Sequence, residues 1–492
     1  VVRDGQHGAR QLVGAAAAST GASTINVRNP RTGEADYAIA PLDAAGVATV
    51  AARLRAAQPA WASLTPEARG VALTALAEAI ERHAAAITAV LTVDTGRAKI
   101  SRVEVDGAIR LLRRWATLGA QVIARAVGEP RPSATPGVVV SGRLVPYPLV
   151  GVISPWNFPL TLALIDAVPA LAAGCAVIVK PSEVTPRFIA PLLAALAEVP
   201  TIPLAVIEGD GVTGAAMVGH VDYVAFTGSV ATGRAVARAA AMAFVPASLE
   251  LGGKDPLIVL ASADPVAAAA IALRAAVVNT GQACQSIERV IVAWSLAEPF
   301  LAALVAGADA VRFNWPDIAV GDIGPFIFAR QAEIVQAQID DAVARGARVL
   351  TGGTVETLGG GLYLRPTVLV DVPPDAAVMI EETFGPVIPV AIVDTVDEAV
   401  ALANAGPFGL SAAVLGGADA EAVALRLDAG AISVGDASLT TMVWDAEKSA
   451  FGASGLGASR MGDSGLTRFL RRVAVLHQTG TPLPLAVYAE DS

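Results

Sequence analysis

The chain has 492 residues, more than one hydrophobic core serves, so two or three domains are expected. Hydrophobic residues make up 54% and charged residues 16%, a balance that excludes a disordered chain. The net charge is −10 with no basic run, which argues against nucleic acid as a partner, and the two cysteines provide no disulfide framework and suit a reducing cytoplasm.

At the N-terminus "VVRDGQHGAR" has no apolar core and the alanines at 15–18 form too short a run, so no signal peptide is expected. Residues 43–90 and 103–125 are Ala/Leu-rich with helical periodicity. The segment "VVVSGRLVPYPLVGVI" (138–153) alternates like a hairpin, as do residues 472–478, and the two are expected to pair as a small sheet of the kind that joins subunits. Then "LVGVIS", 160–173, "CAVIVK", 186–198, "LAVIEG", 212–219, "YVAFTG" and 231–242 alternate strand with helix, the pattern of a parallel, doubly wound sheet. The apolar run from Leu160 to Val179 is long enough to span a membrane, but it holds Asp166 and Pro169 and ends in "VKPSE". A buried helix and strand explain it, and no membrane partner is expected. A second alternating block runs from "PLIVL" (256–260) through "RVIVAW", "PTVLVDV" and "VIPVAIV" to "LSAAVLG". The fold class is therefore α/β. His7, His83, His220 and His477 are scattered without carboxylate or cysteine at ligand spacing, so no metal site is expected.

Polar motifs fall where the strands of such sheets end, which is where their ligands bind. "SPWNFP" (154–159) fixes Asn157 between prolines, and an amide so placed can donate to an oxyanion. In "VKPSEVTP" (179–186), Lys180 and Glu183 can hydrogen-bond ribose hydroxyls. "FTGSVATGRA" (226–235) is a glycine-containing turn opening a helix, a ready phosphate site. It is not a P-loop, because Arg234-Ala235 stands where Lys-Ser/Thr is required. In "SLELGGKDP" (248–256), Glu250 is flanked by Leu249 and Leu251; a desolvated carboxylate there has a raised pKa and can act as a general base. Cys175, in "AGCAVIVK", reads as an inert core thiol; Cys284, in "NTGQACQSIERV", has polar and glycine neighbours and is the candidate nucleophile.

The set "PWNFP", "KPSE", "FTGS" followed by Gly233, "ELGGK", "GQAC", "EETFGPV" (381–387) and "FGASGLG" (451–457) resembles the aldehyde dehydrogenase superfamily, in its order and over nearly the whole chain. Asn157 and Lys180 are 23 residues apart, and Glu250 and Cys284 are 34 apart, as the family pattern expects. The resemblance implies an NAD-dependent, non-phosphorylating oxidation of an aldehyde to its acid, with NADP left open. Cys284 would add to the aldehyde, Asn157 and the Cys284 backbone N–H would hold the oxyanion, and Glu250 would activate the water that hydrolyses the thioester. Glu382 would bind the nicotinamide ribose and Phe384 the ring, Lys180, Ser182 and Glu183 the adenine-side ribose, and Ser229 with the helix after Gly228 the pyrophosphate. Ile153, Ser154, Pro155 and Trp156 would line the cofactor cleft, joined by Gly211, Phe226, Thr227, Leu251 and Gly252. A carboxylate at Glu183 would repel a 2′-phosphate, which favours NAD.

The resemblance also implies two Rossmann-like domains, one for the cofactor (1–124 and 147–251) and one for catalysis (252–455). A small oligomerisation sheet from 125–146 and 456–492 would build a homodimer or homotetramer. The sequence departs from the family at Ile165-Asp166, where Trp-Lys is common, which turns Asp166 toward the substrate tunnel. It departs again at Ser433, at "AFGA" (450–453) and at Met461. Phe158, Leu162, Asp166, Ala283, Gln285, Trp444 and Phe451 are the candidate tunnel residues. Their aromatics point to an aromatic or bulky apolar aldehyde. With no arginine among them, carboxylate-bearing semialdehydes rank lower. A CoA-acylating enzyme, a non-catalytic binding protein and an esterase are the competing readings.

Overall fold

A computed structural model describes residues 24–490; the segment read above for a signal peptide lies outside them. Its two large sheets follow from the two alternating blocks. The first runs, in spatial order, Gly455–Leu456, Ala247–Glu250, Tyr223–Thr227, Leu149–Ile153, Ala176–Lys180 and Leu204–Val206. All its pairings are parallel except that of Gly455–Leu456. Leu149–Ile153, Ala176–Lys180 and Tyr223–Thr227 are buried at every residue. Helices cover both faces of such a strand, so its sequence is continuously apolar rather than alternating.

The helix Pro159–Ala173 is buried at nearly every position. Proline opens it, and Gly174, at φ 104°, closes it in the left-handed region. This burial inside protein accounts for the run that starts at Leu160; among the described residues no helix is long and apolar enough to cross a membrane. The Ala/Leu-rich N-terminal region forms the helices Ala44–Ala62, Pro66–Arg82, Ala84–Thr95 and Ala98–Val127, the last of which packs on Pro66–Arg82.

The second sheet runs Arg348–Thr351, Thr367–Val370, Val387–Val393, Ile287–Ala293, Asp255–Val259, Ser411–Leu415 and Ala431–Val434, with Arg348–Thr351 as its antiparallel edge. A third, small sheet joins Leu470–Gln478 to Val138–Pro146, with Arg131–Pro132 beyond. The expected pairing of the two alternating segments is therefore present, but the hairpin over 138–153 is not. Val138–Pro146 is half-exposed and goes to the small sheet, whereas Leu149–Ile153 is apolar on both faces and goes to the centre of the first large one. The stretch after Leu456 turns back onto the first sheet's helices, where Leu466 and Phe469 are fully buried, before Leu470–Gln478 begins.

Candidate active site

Cys284 lies on the loop between the turn Val278–Gly281 and the strand Ile287–Ala293. The backbone enters that loop through three successive left-handed residues, Asn279, Thr280 and Gly281, at φ 61°, 59° and 68°. Two of them are not glycine, a conformation that costs about 1–3 kcal/mol each and persists only where the surroundings impose it. Here they do. The Gln282 side chain donates to Asn279 O at 3.1 Å and accepts from Ile327 N at 2.9 Å, Asn279 Nδ2 donates to Gln282 O at 2.9 Å, and Ser286 Oγ donates to Ala275 O at 3.1 Å. At Gly281 a Cβ would lie 2.3 Å from the Gly385 backbone, so only glycine fits.

Asn157 reaches this loop from the first domain's central strand. Its Nδ2 donates to Gln282 O at 3.0 Å, and its own carbonyl accepts from Arg97 Nη2 at 3.1 Å. One amide hydrogen is committed to Gln282, and the second has no protein acceptor among the described residues.

Glu250 ends the strand Ala247–Glu250, in register with Thr227 on one side and Gly455 on the other. Leu249 and Leu251 are buried, but the Glu250 side chain is not enclosed by them: it is 17% exposed, and Arg460 Nε lies 3.9 Å from its Oε1. The apolar surroundings expected for it are replaced by a guanidinium. Arg460 also bonds Asp166 Oδ2 at 2.9 Å and Thr227 Oγ1, and Arg468 bonds the other Asp166 oxygen. This corrects the tunnel reading of Asp166. It is 1% exposed and serves as counter-ion to two buried arginines. Burial alone would raise its pKa; the two guanidiniums outweigh burial and hold it below the usual carboxylate value.

The residues expected to meet a cofactor gather at the carboxyl ends of the first sheet's strands. Leu149–Ile153 has Ala176–Lys180 on one side and Tyr223–Thr227 on the other, so Ser154–Asn157 and Gly228–Ser229 flank the topological switch point. Lys180 Nζ donates to Gly209 O at 3.0 Å and lies 3.5 Å from the Glu183 carboxylate. Gly211 opens a helix capped by Asp210, and Ser182 Oγ accepts from Val184 N. Ser229 caps the helix Val230–Met242, and a Cβ at Gly228 would lie 2.6 Å from the Phe226 ring. Trp156 meets Phe384 edge-on, with centroids 5.4 Å apart. Glu382 accepts from Gly253 N at 3.2 Å, and a Cβ at Gly252 would lie 2.3 Å from its carboxylate. Sequence reasoning missed what holds Glu382 and Phe384 there. Glu288 accepts from Thr383 N and Phe384 N at 2.7 and 2.8 Å, and buried Lys254 bonds Glu288 at 2.8 Å. Lys254 is the last residue of the quoted "ELGGK" stretch and carried the only signal.

Of the expected tunnel residues, Leu162 is buried, and Phe158 has the Arg97 guanidinium over its ring, 5.9 Å from the ring centroid. Ala283 and Gln285 flank Cys284. Gln285 is satisfied at both ends when its amide oxygen faces Lys448: it accepts from Nζ at 2.6 Å and donates to Thr440 O at 3.1 Å. Trp444 packs against the helical core around Trp115, and Phe451 is 47% exposed on a strand paired with Phe408–Gly409. Sequence reasoning looked for an arginine in this place and missed Lys448.

The half-buried Cys284 thiol is pushed up to about 12, by burial first and then by the Glu382 carboxylate. Glu382 is itself raised to about 8 by burial and by Glu288. The alkylation rate of Cys284 by iodoacetamide should therefore climb steadily from about pH 6 to 9, because only the thiolate reacts. Glu382→Gln removes a like charge wherever Glu382 is ionised, so it should speed alkylation above about pH 8 and change it little near pH 6. A plateau near neutrality in the parent would contradict the first statement, and equal rates for parent and variant above about pH 8 the second.

Comparison with known proteins agrees with this geometry. The family model described as "Aldehyde dehydrogenase family" matches residues 17–475. A relative from Mycolicibacterium smegmatis, named "Putative succinate-semialdehyde dehydrogenase [NADP(+)]", is 36% identical over 394 residues, 79% of this chain and 76% of its own. A solved structure from Anabaena variabilis, "Putative Aldehyde Dehydrogenase PutA", superposes with a TM-score of 0.91 at 49% identity, covering 94% of this chain and 99% of the other. Betaine aldehyde dehydrogenase from Staphylococcus aureus, solved in complex with NAD+, gives a TM-score of 0.87 at 28% identity, over 97% and 98% of the two chains. With the family model matched over residues 17–475 and solved members superposing over nearly the whole chain, the chain belongs to the aldehyde dehydrogenase family.

Proposed function

We propose that the protein oxidises an aldehyde to the carboxylic acid by a covalent, hydrolytic route through Cys284, with a nicotinamide dinucleotide. The observation that carries this is the bond from Asn157 to the Gln282 carbonyl, two residues before Cys284. It sets an amide donor from one domain beside the nucleophile of the other. The Cys284 thiol gives its proton to Glu250, which passes it to solvent, the sulfur adds to the aldehyde carbon, and the oxyanion accepts from Asn157 Nδ2 and the Cys284 backbone N–H. A bound nicotinamide dinucleotide supplies the hydride acceptor that turns this adduct into a thioester. Glu250 then takes a proton from the attacking water, the carbon–sulfur bond breaks, and the acid leaves with the thiol restored.

Several features fit such a dinucleotide. Ser154 Oγ is buried at the switch point without a partner, the helix after Ser229 presents its N-terminus, and Trp156 and Phe384 form an aromatic wall. Glu183 supports NAD, since its carboxylate would repel a 2′-phosphate; the mycobacterial relative's name carries NADP(+), so both belong in the test. The domains are proposed to divide at 124, 147, 251 and 455, as the sequence suggests. The small sheet supports homo-oligomerisation, because Leu470–Gln478 is an edge strand and its Leu476 is exposed. A cytoplasmic setting follows from two unpaired cysteines.

The test uses NAD and NADP with neutral, cationic and carboxylate-bearing aldehydes, with and without CoA. Free acid is expected as product in every case, and acyl-CoA would shift the assignment to an acylating enzyme. Glu250→Gln should release about one reduced nicotinamide per chain and then stall, as a trapped thioester requires. Full steady turnover in that variant would remove Glu250 from the hydrolytic step.

A further inference from the structure

Lys448 is half-buried on the segment that leads to "AFGA". Its Nζ donates to the Thr440 carbonyl at 2.8 Å and to the Gln285 side-chain oxygen at 2.6 Å. Both acceptors are neutral, and an ammonium has a third donor to place. Among the described residues no carboxylate forms an ion pair with it. The titratable groups that act on it are Glu250, Cys284, Arg460 and Asp255, and Glu250 already faces Arg460. A desolvated cation without a counter-ion is unfavourable unless an anion arrives with a ligand. Gln285, which grips Lys448, directly follows Cys284 in the chain, and Cys284 is among the groups that act on Lys448, so that anion would lie near the reacting carbon. The residues proposed to hold the nucleotide, Lys180, Ser229, Glu382 and Phe384, make no hydrogen bond to Lys448, Gln285 or Thr440.

We infer that Lys448, held in place by Gln285 and Thr440, is an anion subsite that selects aldehydes carrying a carboxylate at the far end of a short chain. This rests on the reading of Cys284 as the nucleophile. It reverses the ranking drawn from the candidate tunnel residues, in which semialdehydes stood low for want of an arginine.

The experiment compares kcat/KM for succinic semialdehyde with that for its uncharged methyl ester, in the full chain with its preferred cofactor. The parent is expected to favour the carboxylate. Lys448→Met should lower the carboxylate-to-ester ratio about 10- to 100-fold, the usual worth of a hydrogen bond to a charged group, and Lys448→Arg should retain part of the preference. An unchanged ratio in Lys448→Met overturns the proposal. So does an equal fall for both substrates, which would mark Lys448 as a partner of the thiolate. A second readout needs no variant: succinate should protect Cys284 of the parent from iodoacetamide, and butyramide should not. Equal protection by both overturns the subsite. If the parent oxidises the ester but shows no preference, the subsite alone fails; if it oxidises no aldehyde, the functional reading fails and the subsite with it.

Discussion

Cys284→Ala is expected to abolish aldehyde-dependent reduction of the nicotinamide, by at least about 10⁴-fold, the scale on which enzymes lose rate with their nucleophile. No second thiol can take over. Cys175, the other cysteine of the chain, is fully buried where "AGCAVIVK" enters the first core; its Sγ faces the Phe469 carbonyl at 3.6 Å, and burial drives its pKa far above the ordinary thiol value. Cys284 is the accessible one, on a loop whose left-handed turn is clamped by Gln282, Asn279 and Asn157. Native protein should accordingly take up one iodoacetamide per chain and the variant none. Turnover by the variant equal to the parent would show that the reaction does not pass through this sulfur.

Asp166→Ala should be the most damaging substitution for stability. It leaves Arg460 and Arg468, each 8% exposed, facing one another without their shared anion. Arg468 depends on Asp166 alone for a side-chain hydrogen bond, since its Nε and Nη1 have no partner. Removing one member of a buried ion pair typically costs about 3–5 kcal/mol, because a desolvated charge is left uncompensated. The loss should appear as a lower unfolding temperature. Activity should fall too, because Arg460 also touches Thr227 and faces Glu250 across 3.9 Å. The folded carboxylate titrates below its unfolded value, so its contribution is complete at neutral pH and disappears as pH falls through the lowered folded value. An unfolding temperature equal to the parent's at neutral pH would contradict this account.

The order of strands and helices was legible because it depends on local pattern. Runs such as "AVIV" and "YVAF" are apolar throughout, and in the structure both lie in strands buried at every residue. Asn157, Lys180, Ser229, Glu250 and Cys284 were legible as candidates because each lies at or just past the end of a strand or helix, in a motif with a fixed place in the chain. Pairings and charge environments were not legible, because they join distant parts of the chain. Leu149–Ile153 was read both as the first strand of the parallel sheet and as half of a hairpin, and only the sheet claimed it. Asp166 was turned toward a tunnel because its partners lie 294 and 302 residues away. Lys448 and Gln285 lie far apart in the chain and meet only once it has folded. Local sequence determined which chemistry this protein carries. Tertiary structure alone decided which charges stand beside it, because electrostatic neighbours are set by distance in space, and distance along the chain does not encode it.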